Sequence, residues 1–186
     1  MQPNPQNNFL SPRSAVLIAM IAVSIAVRLA IHFSHGAFPY NFTPVEAIAL
    51  FGGAYFADRR LAVLVPLAAM FLADLVIGLH NLIPVIYGCI ALTALVGGNL
   101  RGRVRAPPVA GYAFASAVMF YLVTNFFVWL VGTMYPHDGA GLIACYVAGI
   151  PFFNGTLAGT LLWSGLLFGG FELMQRRWTV LAPAAA

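Results

Sequence analysis

Residues 61–79 read LAVLVPLAAMFLADLVIGL, with Asp58-Arg59-Arg60 before them and His80-Asn81 after. The run carries one charge, Asp74, and matches the about 20 apolar residues that a helix needs to cross a hydrocarbon core. A surface helix of a soluble domain shows a polar face at helical spacing. This run has none, as expected of a helix surrounded by lipid and other helices.

The same pattern repeats in both directions. Residues 46–56 are apolar but short for a full crossing. The stretch SHGAFPYNFTP at 34–44 is too rich in turn residues for a regular helix, so it is expected to dip into the protein. Residues 14–33 form a second long run. Beyond the break at 80–84, further runs cover 85–100, 109–131 and 152–175. The stretch at 132–151, GTMYPHDGAGLIACYVAGIP, is expected to be a long, semi-apolar loop with at most a short helix. The resulting expectation is an all-α integral membrane protein, a six-transmembrane-helix bundle. It has a single membrane domain at 14–178, a disordered tail at 1–13 and a C-terminal tail at 179–186.

Composition agrees. The chain is 61% hydrophobic and 8% charged, against about 25% charged in soluble domains, and its mean hydropathy is +0.89. The net charge of +4 does not point to nucleic acid. There is no Lys, and eight of the nine basic residues, all Arg, sit at the ends of apolar runs. That placement sets membrane orientation rather than forming a phosphate-binding stripe. Arg13 precedes the first run, Arg59 and Arg60 follow the second, Arg101, Arg103 and Arg105 follow the fourth, and Arg176 and Arg177 follow the sixth. Every cluster falls on one side, so both termini are expected in the cytoplasm and the chain in a bacterial inner (cytoplasmic) membrane. The first run lacks a small-residue cleavage pattern and is expected to be retained, not removed as a signal peptide. All four His (His32, His35, His80 and His137) fall on the opposite, outer side.

Several outer-side residues could carry chemistry. Arg28 and Asp74 lie inside apolar runs, where a lone charge is costly, so they are candidates for an ion pair or a binding site. In Asn41-Phe42-Thr43-Pro44-Val45-Glu46, Thr43 can cap a helix with Pro44 at its first position and Glu46 at its third, a capping box. The loop itself would wall an outer cavity. Cys89, close to Tyr87 and His80, is either a small core residue or a soft ligand for a metal centre. Cys145 is a weaker candidate. The two cysteines form no metal-type motif and no disulfide framework. Tyr135, Tyr146 and Phe42 belong either to an interfacial aromatic belt or to a pocket for a planar ligand. Small residues recur at helical spacing in Ala15, Ala19, Ala22 and Ala26, and in Gly155, Gly159, Gly165 and Gly169. Such faces allow close helix packing, inside the bundle or against a partner. No Walker A loop, HExxH or GxSxG motif is present.

Six runs in so short a chain, with long outer loops and the Ala15-Ala19-Ala22-Ala26 face on the first run, resemble the S-components of energy-coupling-factor (ECF) vitamin transporters. The segments Asn41-Phe42-Thr43-Pro44-Val45-Glu46-Ala47 and Leu50-Phe51-Gly52-Gly53-Ala54-Tyr55-Phe56 look like small bacterial membrane proteins related to them. The resemblance implies a micronutrient bound in an outward-facing cavity. It also implies that the alanine face docks a coupling subunit, which works with ATPases. Within this class the chain is most similar to the BtuM-type solitary cobalamin transporters. There, a cysteine after the third helix is the axial ligand of cobalt, and Cys89 occupies a comparable place. The resemblance thus implies cobalamin as bound substrate, with Cys89 able to displace its cyanide. The alternatives are a membrane haem protein using His32 or His35 with His80, a membrane enzyme using Asp74 and His80, and an assembly subunit without a ligand.

Overall fold

The computed structural model describes residues 11–34 and 36–181. Among them lie six α-helices: α1 (Pro12–Phe33), α2 (Val45–Tyr55), α3 (Arg59–Ile77), α4 (Ile83–Gly97), α5 (Ala106–Val131) and α6 (Gly139–Arg177). A 3-10 turn, Gly98–Leu100, extends α4, and another, Thr179–Leu181, follows α6. Five helices, all but α2, are long and apolar enough to cross a membrane. Their outer faces carry exposed Val23, Leu64, Leu72, Leu92, Phe114 and Leu162. A surface this apolar is compatible with a lipid bilayer and ill-suited to water.

The short helix is the hub. All 11 residues of α2 are buried, and it packs against each of the other five helices. At about 1.5 Å per residue it spans roughly half of a hydrocarbon core. The loop before it is exposed at residues 36–41 and becomes buried only toward Pro44. Its later part lies against α6. A Cβ on Gly155 would overlap the Tyr40 carbonyl, and one on Gly159 would lie 2.9 Å from the Thr43 nitrogen. These two glycines therefore seat the loop, not a partner. Asn41 makes the turn in the left-handed region (φ 57°), which Asn tolerates better than most residues.

Close approach also fixes α2 on its other sides. A Cβ on Gly53 would overlap the Ala94 carbonyl of α4, and one on Gly97 would lie 2.6 Å from the Leu50 carbonyl. Gly52 lies against Pro66, whose Cγ would be 2.9 Å from a Cβ there. Pro66 lacks the N–H that would bond the Ala62 carbonyl four residues back. It sits inside α3 on the buried face.

Four expectations need correction. The capping box does not form: Pro44 is the N-cap of α2, and no side chain caps that end. The segment 132–151 is mostly helix, because α6 begins at Gly139 and runs for 39 residues through Pro151. Asp138 starts it by accepting from the Gly141 N–H at 2.7 Å. Gly and Pro, strong breakers in water, are common in membrane helices. The C-terminal tail does not begin at 179, since Leu181 is buried and its carbonyl accepts from Arg13. At the other end, Ser11 caps α1 through the Ser14 N–H, so helix begins before the expected end of the tail. The rest of that tail, 1–10, lies outside the described residues.

The two ends of the bundle differ in chemistry. At one, Arg13 bonds Gln175 at 3.1 Å, and Arg101 bonds the Gly53 and Ala57 carbonyls at 3.0 and 3.2 Å. This brings together the arginine-bearing ends of α1, α3, α4, α5 and α6. The loops 34–44, 78–82 and 132–138 lie at the opposite end.

Candidate functional site

A cavity of about 460 Å³ opens among those three loops and draws lining residues from all six helices. Its size falls in the range for small-molecule sites, about 300–1,000 Å³. The apolar part includes Met70, Ile86, Phe120, Val128 and Phe152, and the polar part includes Arg28, Asn41, Thr43, Glu46, His80, Thr124, Asn125, Tyr135 and Thr156.

Arg28, near the C-terminal end of α1, reaches α3 and pairs with Asp74 at 3.0 Å. Asp74 is buried, and its second oxygen accepts from the Tyr87 hydroxyl of α4 at 2.9 Å. The ion pair raised by the sequence is thus present, and Tyr87 completes it. A buried carboxylate with two charge-assisted or hydroxyl partners is well satisfied. The triad fixes the Arg28 guanidinium, and Arg28 also lines the cavity.

Glu46 is the residue whose importance the sequence did not reveal. It lies in the first turn of α2, is 2% exposed, lines the cavity, and its Oε1 has no hydrogen-bond partner. Read as part of a capping box, it looked structural. Asn125 was also missed. Its amide nitrogen donates to the Tyr121 carbonyl at 2.8 Å. A Cβ on Gly149 would lie too close to Asn125 Oδ1 for contact, so that glycine makes room for the amide.

The structure distributes the predicted residues unevenly. Arg28, Asn41, His80 and Tyr135 line the cavity, and Asp74 and Tyr87 hold Arg28 in place. Phe42 stacks on Phe38, ring centroids 6.1 Å apart, and is not part of the lining. Tyr146 points to α5, donating to the Leu122 carbonyl at 2.7 Å. Cys89 is buried on a separate shallow groove between α4 and α5, with Gly88, Met119 and Phe127. The cysteine that reaches the cavity is Cys145, its thiol 3.4 Å from the Asn125 carbonyl.

Other arrangements considered from sequence are not assembled. Asp74 is bonded to Arg28 and Tyr87, and no hydrogen bond joins it to His80. His32 is exposed and stacks edge-on against Phe33, His137 bonds the Trp129 carbonyl at 2.9 Å, and His35 lies outside the described residues. Among the described residues no cluster of three His, Cys, Asp or Glu could hold a metal ion. Ala15, Ala19, Ala22 and Ala26 are all exposed on one side of α1, opposite the buried Ser14, Leu17, Ile21 and Ile25.

A second depression, about 430 Å³, lies between α5 and α6 at the arginine end. Its carboxylate, Glu172, already accepts from the Tyr55 hydroxyl at 2.6 Å. It has no counterpart to the buried, unpartnered carboxylate of the outer cavity.

A family model with the description "Family of unknown function (DUF6580)" matches residues 8–183. No curated protein and no solved structure matches the chain.

Proposed function

We propose that this chain, which belongs to the family of unknown function DUF6580, is a substrate-binding membrane transport protein for micronutrient uptake. One observation carries the reading. All six helices converge on a cavity that contains a held arginine and a buried carboxylate with an unpartnered oxygen. Such groups are costly in an apolar interior unless something binds them. In this proposal the arginine-rich end faces the cytoplasm, following the positive-inside rule. The loops 34–44, 78–82 and 132–138 then face outward, and α2 with its preceding loop makes the sixth crossing of an S-component-like bundle in a bacterial inner membrane. Substrate enters from outside, and the bundle rearranges to release it inward.

The exposed Ala15-Ala19-Ala22-Ala26 face suits the coupling subunit of an ECF-type transporter, which would bring the ATPases. Cobalamin, the substrate favoured by the resemblance, asks more of the fold. Cys89 would have to turn from its own groove into the cavity, and a whole corrinoid would have to enter a volume suited to a smaller ligand. We therefore rank a small polar micronutrient ahead of cobalamin.

The test is retention. Purified protein in lipid nanodiscs is incubated with a defined mixture of vitamins that includes cobalamin, washed and denatured, and the released compounds are read by mass spectrometry. Release of one compound from wild type and not from Arg28→Ala supports the proposal. Release of none sinks it. Release of cobalamin, lost in Cys89→Ala, restores the corrinoid reading. Labelling of Tyr135→Cys but not Arg103→Cys by a membrane-impermeant maleimide in intact cells is the expected orientation.

A further inference from the structure

The hydrogen-bonding inventory of the outer cavity is one-sided. Thr124 and Thr156 use their hydroxyl protons on the carbonyls of Phe120 and Phe152, at 2.7 and 3.0 Å, which leaves oxygen lone pairs toward the cavity. The Asn125 amide gives one of its two N–H groups to the Tyr121 carbonyl, which leaves Oδ1 and one N–H. Glu46 Oε1 has no partner. The lining contributed by α2, α5 and the middle of α6 is thus rich in acceptors, and its one charged group is the Glu46 carboxylate. Arg28, Asn41, Thr43, His80 and Tyr135 complete the polar lining.

The charges are one-sided too. Arg28 is matched by Asp74. Among the described residues Glu46 forms no ion pair, and Arg28, already paired with Asp74, is the one cation shared by two carboxylates. The start of α2 offers Glu46 the partial positive charge of its backbone, but a helix end does not replace a bonded donor on Oε1. Phe120 and Phe152, which also line the cavity, add ring faces that attract cations.

We infer that the ligand of this cavity is a small organic cation with N–H donors, received by Glu46 and Asn125 and flanked by Phe120 and Phe152. The inference rests on the substrate-binding reading above and specifies its chemical class. Arg28, held back by Asp74 and Tyr87, takes whatever acceptor the ligand carries at its other end.

Three probes of similar shape test it by calorimetry on the full-length protein in nanodiscs: phenethylammonium, 2-phenylethanol and 3-phenylpropionate. The ammonium is expected to bind at least tenfold tighter than the alcohol. Glu46→Gln is expected to weaken the ammonium at least tenfold and leave the alcohol unchanged. The comparison within wild type needs no variant, so it stands even if Glu46→Gln folds poorly. Tightest binding by 3-phenylpropionate overturns the cation assignment while leaving a substrate-binding cavity. Equal binding of ammonium and alcohol, or an unaltered ammonium affinity in folded Glu46→Gln, also overturns it. Binding of none of the three overturns it as well, and retention of a compound from the vitamin mixture then shows whether the substrate-binding reading survives.

Discussion

The two ends of this bundle use charged residues in opposite ways. At the arginine end, each interacting cation meets a group already in need of one. Arg101 takes the carbonyls at the end of α2. Arg13 takes Gln175 and the Leu181 carbonyl and lies over the Phe171 and Tyr55 rings, 5.2 and 5.7 Å from their centroids. Beneath it Phe51, Tyr55, Phe168 and Phe171 pack as one aromatic cluster. At the loop end, Arg28 and Asp74 satisfy each other, and Glu46 is left over beside a cavity. The difference teaches where the fold leaves a carboxylate unsatisfied: Glu172 at the arginine end is hydrogen-bonded, while Glu46 Oε1 at the loop end is not. Unpartnered buried polar atoms also occur away from that cavity, in Thr93, Thr160, Trp163 and Ser164, so what sets Glu46 apart is a carboxylate beside a cavity.

The contrast can be broken most severely at the α2–α4 crossing. Gly53→Leu should abolish folded protein and Gly53→Ala should cost about 3 kcal/mol, at the upper end of the overpacking range, because the added carbon meets the Ala94 backbone. Unfolding in detergent measures it, and a wild-type melt for Gly53→Ala would remove the close crossing. Next comes the buried pair. Asp74→Ala should cost about 3 kcal/mol, since it strands Arg28, discounted because Arg28 keeps some exposure. In a double-mutant cycle with Arg28→Ala part of that loss should return, and strict additivity would argue against the pair.

Arg13→Ala should cost about 1–2 kcal/mol through lost hydrogen bonds and ring contacts, with ligand affinity unchanged. An effect on affinity larger than that on stability would blur the division between the ends. Glu46→Gln should act in the other direction. Without ligand, removing an unpartnered buried charge should stabilise the protein by about 1 kcal/mol. A lower melting temperature for ligand-free Glu46→Gln would count against a carboxylate kept at a cost. The smallest effect is expected for Gly88→Ala, within about 0.5 kcal/mol, since nothing lies within 4 Å of a Cβ there.

Parts of this contrast were legible without coordinates. Arg28 and Asp74 stood out because charges are rare in apolar runs, and the pair was anticipated. The loop at 34–44 was expected to dip into the protein because the run after it is too short to cross alone, yet residues 36–41 are exposed and only its end toward Pro44 is buried. Glu46 was misread because Thr43-Pro44-Val45-Glu46 matches a local helix-start pattern. That pattern says nothing about what lies on the far side of the carboxylate. The segment 132–151 was misread because turn statistics from water do not hold for a helix packed in an apolar bundle.

The sequence by itself determined that the chain is helical, that its surfaces suit lipid, and that eight of its nine arginines lie at one end. These properties depend on run length and on the placement of charges along the chain, both local quantities. Only the tertiary structure decided which glycines mark crossings, that Cys145 and not Cys89 borders the cavity, and that Glu46 lacks a partner. Those depend on the rotation of each helix about its own axis and on what stands opposite. A pattern apolar on every face leaves that rotation open, and packing against α2 sets it.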